Sequence, residues 1–170
     1  MIPLKLMKKN KRKSFPSKGA CAIGIDEMMP LVRESIAAGG NATIPVRGVS
    51  MRPMLKEGRD SVILSPIRVP LKAQDIVLYQ RENGSYILHR IVAASETYTC
   101  IGDAQFVFEK GIAPSQMIAV VSAVRRGERI LPITHPMYRL YAWLWSASRP
   151  MRRFFIRAVR KLGRMLGIQK

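Results

Sequence analysis

Short β-rich segments, separated by turn residues, fill most of the chain between residues 42 and 131. Val, Ile, Leu, Tyr and Thr dominate these segments, as is typical of strands. An Asn83-Gly84 pair lies between two of them and favours a tight hairpin. The predicted strands are Ala42–Val46, Ser61–Leu64, Asp75–Gln80, Tyr86–Ala93, Thr97–Ile101, Met117–Val124 and Arg129–Leu131. The pattern therefore predicts a mainly β fold.

Helical patterns flank the β-rich part on both sides. Acidic Asp26 and Glu27 precede apolar residues at helical spacing, and Gly39-Gly40 follows, which predicts an N-terminal helix between them. After residue 136 the pattern predicts two more helical pieces, separated by Pro150; Tyr and Trp mark the first, and a basic and an apolar face mark the second. We expect a basic tail over 1–22, a folded domain over 23–136 and a basic amphipathic helical tail over 137–170.

The charge of the chain is concentrated in the two tails. The net charge is +18, from 29 Lys and Arg against 11 Asp and Glu. Residues 1–18 hold seven basic residues and residues 137–170 hold nine, with no acid in either range, which leaves a net charge of only +2 between them. A nearly neutral body makes a nucleic acid an unlikely partner for the fold.

The C-terminal tail combines basic and aromatic residues on amphipathic segments, which is typical of a helix lying on an anionic membrane surface. The alternative is a helix packed on the body with a solvated basic face. The longest apolar run there, Leu140 to Ala147, is far shorter than the roughly 20 residues of a spanning helix. The basic N-terminus lacks the apolar run of a secretory signal. We therefore expect a cytoplasmic protein, peripheral on the inner face of the plasma membrane.

Candidate chemistry centres on one serine and two histidines. Ser50 lies in a segment rich in turn residues, and a serine needs a base within hydrogen-bond reach to act as a nucleophile. His89 lies inside a predicted strand, a rigid place for a base, whereas His135 precedes Pro136 and is expected in a loop. His and Cys residues show no metal-ligand spacing and no Gly-rich phosphate loop is present, so we expect no metal and no cofactor.

The order of several short motifs resembles the signal peptidase and LexA-like serine peptidases (the S24/S26 group). The motifs are Gly48-x-Ser50-Met51-x-Pro53, Gly58-x-Asp60-x-Val62, Asp75-Ile76-Val77, His89-Arg90-Ile91-Val92 and Gly102-Asp103. They span roughly residues 42 to 125. The closest likeness is to small bacterial members that lack the usual membrane anchor and end in a basic amphipathic tail.

The resemblance implies a β fold of the signal peptidase type and a role for each matching residue. Ser50 would be the nucleophile, and His89 would be the base, as in the histidine branch of the group. Asp103 is the first candidate for the acid that orients His89, and Glu109 is the second. The implied activity is that of a serine endopeptidase, a hydrolase that cleaves a peptide bond in a leader or precursor peptide at the membrane surface.

Three positions depart from the pattern of the group. Gly48 stands where many relatives have a serine that helps to hold the oxyanion, so the Ser50 N–H would take that role. Ala104 replaces an asparagine, and Gln74 replaces a glycine.

Two other functions stay open. One is a non-catalytic membrane-associated binding module of the same fold. The other is a LexA-like regulator that cleaves itself, for which Ala38-Gly39 is a candidate bond, although it lies close to Ser50 and is expected at a helix end.

Overall fold

The computed structural model describes residues 24–148 and Met151. Over these residues the protein is a largely antiparallel β structure with a helix at each end, as the mainly β prediction requires. The helices are Ile25–Ala37 (α1) and Pro136–Ala147 (α2). The strands are Ala42–Pro45 (β1), Asp60–Ser65 (β2), Ile76–Gln80 (β3), Tyr86–Ala94 (β4), Tyr98–Ile101 (β5), Glu109–Ile112 (β6), Met117–Arg126 (β7) and Arg129–Pro132 (β8). The mainly β fold is confirmed.

The predicted strands match the observed ones closely, with β6 as the exception. No strand was predicted there, because its sequence Glu-Lys-Gly-Ile has a single β-branched residue and a glycine. Pairing with β5 nevertheless holds it in the sheet, with Cys100 opposite Glu109. This missed strand matters because it carries one of the candidate acids.

The sheet order is β1-β2-β7-β3-β4-β5-β6, with β8 paired to β7, and every pairing is antiparallel. Successive side chains of a strand point to opposite faces, and those of β3 are buried on both faces. Ile76 and Leu78 belong to one hydrophobic cluster, and Val77 and Tyr79 belong to a second. The sheet therefore has a core on each face.

Both helices pack on the first of these clusters. α1 contributes Met29 and Val32, and it ends where Gly39 adopts a left-handed φ of +77°. α2 contributes Ala142, which is 3% exposed, and Tyr138 packs against the same cluster. The first helical piece predicted beyond residue 136 is thus confirmed, and it is attached to the sheet. The predicted basic tail over 1–22 and nearly all of the second helical piece lie outside the described residues.

Candidate active site

Ser50 lies in the turn-rich segment between β1 and β2 and is half-buried. The N–H of Ala104 donates a hydrogen bond of 2.8 Å to the Ser50 carbonyl, which joins this segment to the turn after β5. Gly48 has a φ of +75°, a conformation that favours glycine over a residue with a side chain. Within the described residues the Ser50 N–H has no hydrogen-bond acceptor. That N–H is therefore free to serve an oxyanion.

His89 lies on β4, and only 2% of it is exposed. The ring and the serine segment both lie close to Gly102. A Cβ built on Gly102 would lie 2.7 Å from the Ser50 carbonyl oxygen and 3.0 Å from both His89 Nε2 and Gln105 Oε1. The first distance is shorter than real contacts of a Cβ atom and the other two are tight, so a side chain at this position would displace the serine segment.

Ser50 and His89 also line one cavity of about 300 Å³. No hydrogen bond joins Ser50 Oγ to a His89 ring nitrogen among the described residues. In peptidases such a bond is often long or absent until the substrate is bound. The structure therefore brings the predicted nucleophile and base to the same cavity without the bond between them.

Glu109 is the acid that lies against His89. Its Oε1 is 3.3 Å from His89 Nδ1, and the Tyr79 hydroxyl donates to Glu109 Oε2 at 2.8 Å while lying 3.3 Å from the same ring nitrogen. Arg81 Nε donates to Glu109 Oε2 at 2.8 Å, and its Nη2 donates to Oε1. Because Tyr79 gives its proton to Glu109, Nδ1 faces only acceptors and carries the ring proton. The lone pair is then on Nε2, which lies near Gly102, as do the Ser50 carbonyl and Gln105 Oε1.

Asp103, the first choice from the sequence, has a different partner. Arg90 Nε and Nη2 donate to its two carboxylate oxygens at 2.9 and 2.7 Å, and both side chains are almost completely buried. Neighbouring residues of a strand point to opposite faces, so Arg90 and His89 face away from each other. In the structure the acid in contact with Nδ1 is thus Glu109, the second candidate, whereas Asp103, the first candidate, is paired with Arg90.

The electrostatics of the site keep His89 neutral. Burial lowers the pKa of His89 to about 4, against the opposing effect of Glu109. The pKa of Glu109 is below its usual value, chiefly because Arg81 donates hydrogen bonds to its carboxylate. At neutral pH the site therefore holds a neutral imidazole that can accept a proton, beside an ionised glutamate that stabilises the imidazolium once it forms.

Two residues of the site, Tyr79 and Arg81, were missed by the sequence reasoning. A signal for Tyr79 was present, since the Asn83-Gly84 hairpin sets the register of the two strands. That register pairs Val77 with His89 and Tyr79 with Ile87, which makes Tyr79 a diagonal neighbour of His89 on one face. Arg81 follows β3 in the turn and carried no comparable signal.

His135 is not part of this site. It is exposed, immediately precedes α2 and lines a separate cavity with Tyr138 and Tyr141. No group of three or more His, Cys, Asp or Glu residues that could hold a metal ion occurs in the part of the chain that the structure describes.

The outward side of α2 is apolar. Leu140, Trp143 and Leu144 are more than half exposed, as is Met137 near the start of the helix. A helix with a buried face usually presents polar residues to water on the other, and α2 does not. Neither described helix has the length and apolar character needed to span a membrane.

No family model, no curated protein and no solved structure matches this chain.

Proposed function

We propose that the protein is a serine endopeptidase in which Ser50 is the nucleophile, His89 the base and Glu109 the acid that orients His89. The observation that carries the proposal is that Ser50 and His89 line one cavity, with the Ser50 carbonyl and His89 Nε2 both close to Gly102 and with Nδ1 of the same ring held against Glu109. This arrangement supplies a nucleophile, a base in the required tautomer and a charge that compensates the imidazolium, which are the parts that acyl transfer needs.

The reaction proceeds in two steps. The Ser50 hydroxyl proton moves to His89 Nε2 as Oγ attacks the peptide carbonyl carbon, and the Ser50 N–H donates to the developing oxyanion. His89 then returns the proton to the leaving amine as the C–N bond breaks, which leaves an ester on Ser50. A water molecule, deprotonated by the same Nε2, attacks the ester, and the proton returns to Oγ as the acid product leaves.

The proposed substrate is an extended peptide with apolar residues near the cleaved bond. β1 pairs only with β2, so its outer edge is open to a further strand among the described residues. Ile44, Val46 and Leu88 give the adjoining cavity an apolar wall beside Ser50. A leader or precursor segment laid along β1 would place a peptide carbonyl at the serine.

Digestion of a peptide library, read by mass spectrometry, tests this activity. We expect wild type to cleave a subset of peptides, and Ser50→Ala to cleave none. Ser95→Ala, at an exposed turn between β4 and β5, is the matched control and should retain wild-type cleavage. Cleavage by Ser50→Ala equal to that of wild type would reject the assignment. A wild type that cleaves no peptide and is not labelled by a fluorophosphonate, a probe that reacts with activated serines, would favour the non-catalytic binding module instead.

The partner proposed for the apolar side of α2 is an anionic membrane surface, which would hold the peptidase at the inner face of the plasma membrane. The support is the exposed apolar side of the helix, followed in the sequence by acid-free residues 149–170 with eight basic residues. Sedimentation with anionic vesicles should recover the wild type, whereas Leu140→Ser/Leu144→Ser should remain in solution. Leu31→Ser, on the exposed side of α1, is the control. Equal binding to neutral vesicles would contradict the role of charge.

Cleavage of the chain at Ala38-Gly39 is less well supported. The N–H groups of Ala38 and Gly39 donate to the carbonyls of Glu34 and Ile36, so this bond belongs to the end of α1. A peptidase needs an extended segment, and the helix end would have to open first. An unchanged intact mass after prolonged incubation of wild type would dismiss self-cleavage.

A further inference from the structure

A hydrogen bond connects α2 to the turn on which Ser50 and His89 meet. The indole Nε1–H of Trp145 donates to the Asp103 carbonyl at 3.0 Å. Asp103 lies between Gly102, over which the serine segment and the imidazole meet, and Ala104, whose N–H donates to the Ser50 carbonyl. The indole therefore contacts the backbone at the centre of the segment that sets the distance between the nucleophile and the base.

The indole is itself held in a fixed orientation. The ring of Tyr141, one turn earlier in α2, stacks on Trp145 with an angle of 6° between the rings and 6.2 Å between the centroids. Next to it, Ser146 Oγ donates to Gln74 Oε1 at 3.1 Å. Gln74 has a left-handed φ of 82°, and its carbonyl accepts from Arg90 at 3.0 Å. α2 is thus attached at two points to the loops around the buried Arg90–Asp103 pair.

We propose that Trp145 is a positioning residue of the peptidase: by bonding the Asp103 carbonyl it holds the 102–104 turn where Ser50 and His89 Nε2 can react. The proposal rests on the proposed function. It assigns to the C-terminal helix a part in the chemistry, in addition to any part in docking. Trp145 acts through the turn and donates nothing to the substrate.

The Asp103 side chain cannot replace this contact. Its carboxylate is fixed by Arg90 on one side of the backbone. The Asp103 carbonyl and the Ala104 N–H belong to one peptide unit, which Trp145 holds at the carbonyl and the Ser50 carbonyl holds at the N–H. Loss of the indole donor would weaken the restraint on rotation of this unit. Such a rotation would move Gly102 and Ala104 relative to Ser50. A displacement of about 1 Å between a nucleophile and its base is enough to slow a reaction by up to about 100-fold.

The test compares two identical substitutions on one helix. Trp145→Phe keeps an aromatic ring but removes the N–H donor. Trp143→Phe, on the exposed side of α2, is the matched control, and labelling is done without vesicles so that the proposed membrane contact of this side does not enter. Ser146→Ala removes the other attachment of the helix and leaves the bond to Asp103. Each variant reacts with a fluorophosphonate probe, and the limiting rate constant of labelling is separated from the labelled fraction at completion.

We expect Trp145→Phe to lower the limiting rate constant about 5-fold to 20-fold while the same fraction of protein is finally labelled. Trp143→Phe should match wild type, and Ser146→Ala should lie much closer to wild type than Trp145→Phe. A purely structural role would instead reduce the labelled fraction and the thermal midpoint, with an unchanged rate constant in the folded molecules. An unchanged rate constant in Trp145→Phe would overturn the proposal, with the Ser50 assignment intact if wild type is labelled there.

Hydrogen exchange gives a readout that does not depend on activity. The Ala104 amide, bonded to the Ser50 carbonyl, should exchange faster in Trp145→Phe than in wild type, and at the wild-type rate in Trp143→Phe. Equal exchange of this amide in wild type and Trp145→Phe would contradict the proposed role, whether or not the probe reacts. Failure of the peptidase function itself would appear separately, as absence of labelling at Ser50 in wild type.

Discussion

Mild acid should destabilise the native protein, and the buried His89 should contribute most of this loss above about pH 5. Burial lowers the pKa of His89 from its ordinary 6.5 to about 4 in the native state. Between these two values the unfolded chain binds a proton that the native protein does not, so stability contributed by the neutral ring is complete above pH 6.5 and is lost as the pH falls toward 4. Each pH unit in this window is worth about 1.4 kcal/mol. The native protein should therefore lose about 2 kcal/mol between about pH 7.5 and about pH 5 from this residue.

Urea unfolding at the two pH values measures this loss, with His89→Gln as the variant that cannot titrate. The variant has its own stability, but its change in unfolding free energy between the two pH values should be smaller than that of wild type by about 2 kcal/mol. Carboxylates away from His89 titrate alike in both proteins and cancel, and both pH values lie above the pKa of Glu109, which is lowered from its usual value. His135→Gln, which alters the chain's other histidine at an exposed position, should retain the wild-type pH dependence. An equal loss in wild type and His89→Gln would refute the burial of a neutral imidazole at this position.

Three further predictions concern the groups around His89. Gly102→Ala should lower the rate of probe labelling about 100-fold, because its Cβ would lie 2.7 Å from the Ser50 carbonyl and would displace the serine segment. A labelling rate near that of wild type would show that the position of this segment at Gly102 does not matter for the reaction. Asp103→Asn should destabilise the fold by about 3–5 kcal/mol, because it leaves buried Arg90 without its charge partner. Glu109→Gln should slow labelling about 10-fold to 100-fold with a smaller loss of stability. The reverse pattern in urea unfolding and labelling would indicate Asp103 as the acid. The labelling rate of wild type should rise with pH through a midpoint near 4, since the neutral ring is the base; a rise only above about pH 9 would indicate a lysine base.

The strands that place His89 could be predicted from the sequence. The choice of Glu109 over Asp103 as the acid beside His89 could not. β3 and β4 follow from runs of Val, Ile, Leu and Tyr and from the Asn83-Gly84 turn, and these two signals set the register that carries His89. The approach of Ser50 depends on a loop of irregular backbone, for which periodicity gives no information, and was expected only from the resemblance to a known group of peptidases. Glu109 lies on β6, a strand held by pairing with β5 rather than by its own propensity.

The role of Asp103 illustrates the limit of motif order. Its place after Gly102 favoured it as the catalytic acid, but the choice between Asp103 and Glu109 depends on which face of β4 each carboxylate meets. Arg90 follows His89 directly and therefore faces the opposite side, where it binds Asp103 with both carboxylate oxygens. A buried arginine needs such a partner, and that requirement decided the outcome. A sequence alone does not show which carboxylate satisfies it.

α2 shows a similar limit at the level of the fold. Its apolar residues predicted a helix with a face toward a membrane or toward the body. In the structure Ala142 is buried while Leu140 and Trp143 are exposed. The helix thus packs on the sheet with one face and leaves a second apolar face exposed. Helical spacing alone does not show which apolar residues belong to which of these two faces.

The central claim is that Ser50 is a nucleophile activated by His89. Reaction of the wild type with a fluorophosphonate, followed by digestion and mass spectrometry, tests it most directly, because Oγ displaces fluoride and leaves a phosphonyl group on the reacting serine. We expect this modification on Ser50 in wild type and in His135→Gln, and no modification in Ser50→Ala or His89→Gln. Labelling of Ser50→Ala to the wild-type extent, or an unlabelled wild type, would contradict the account.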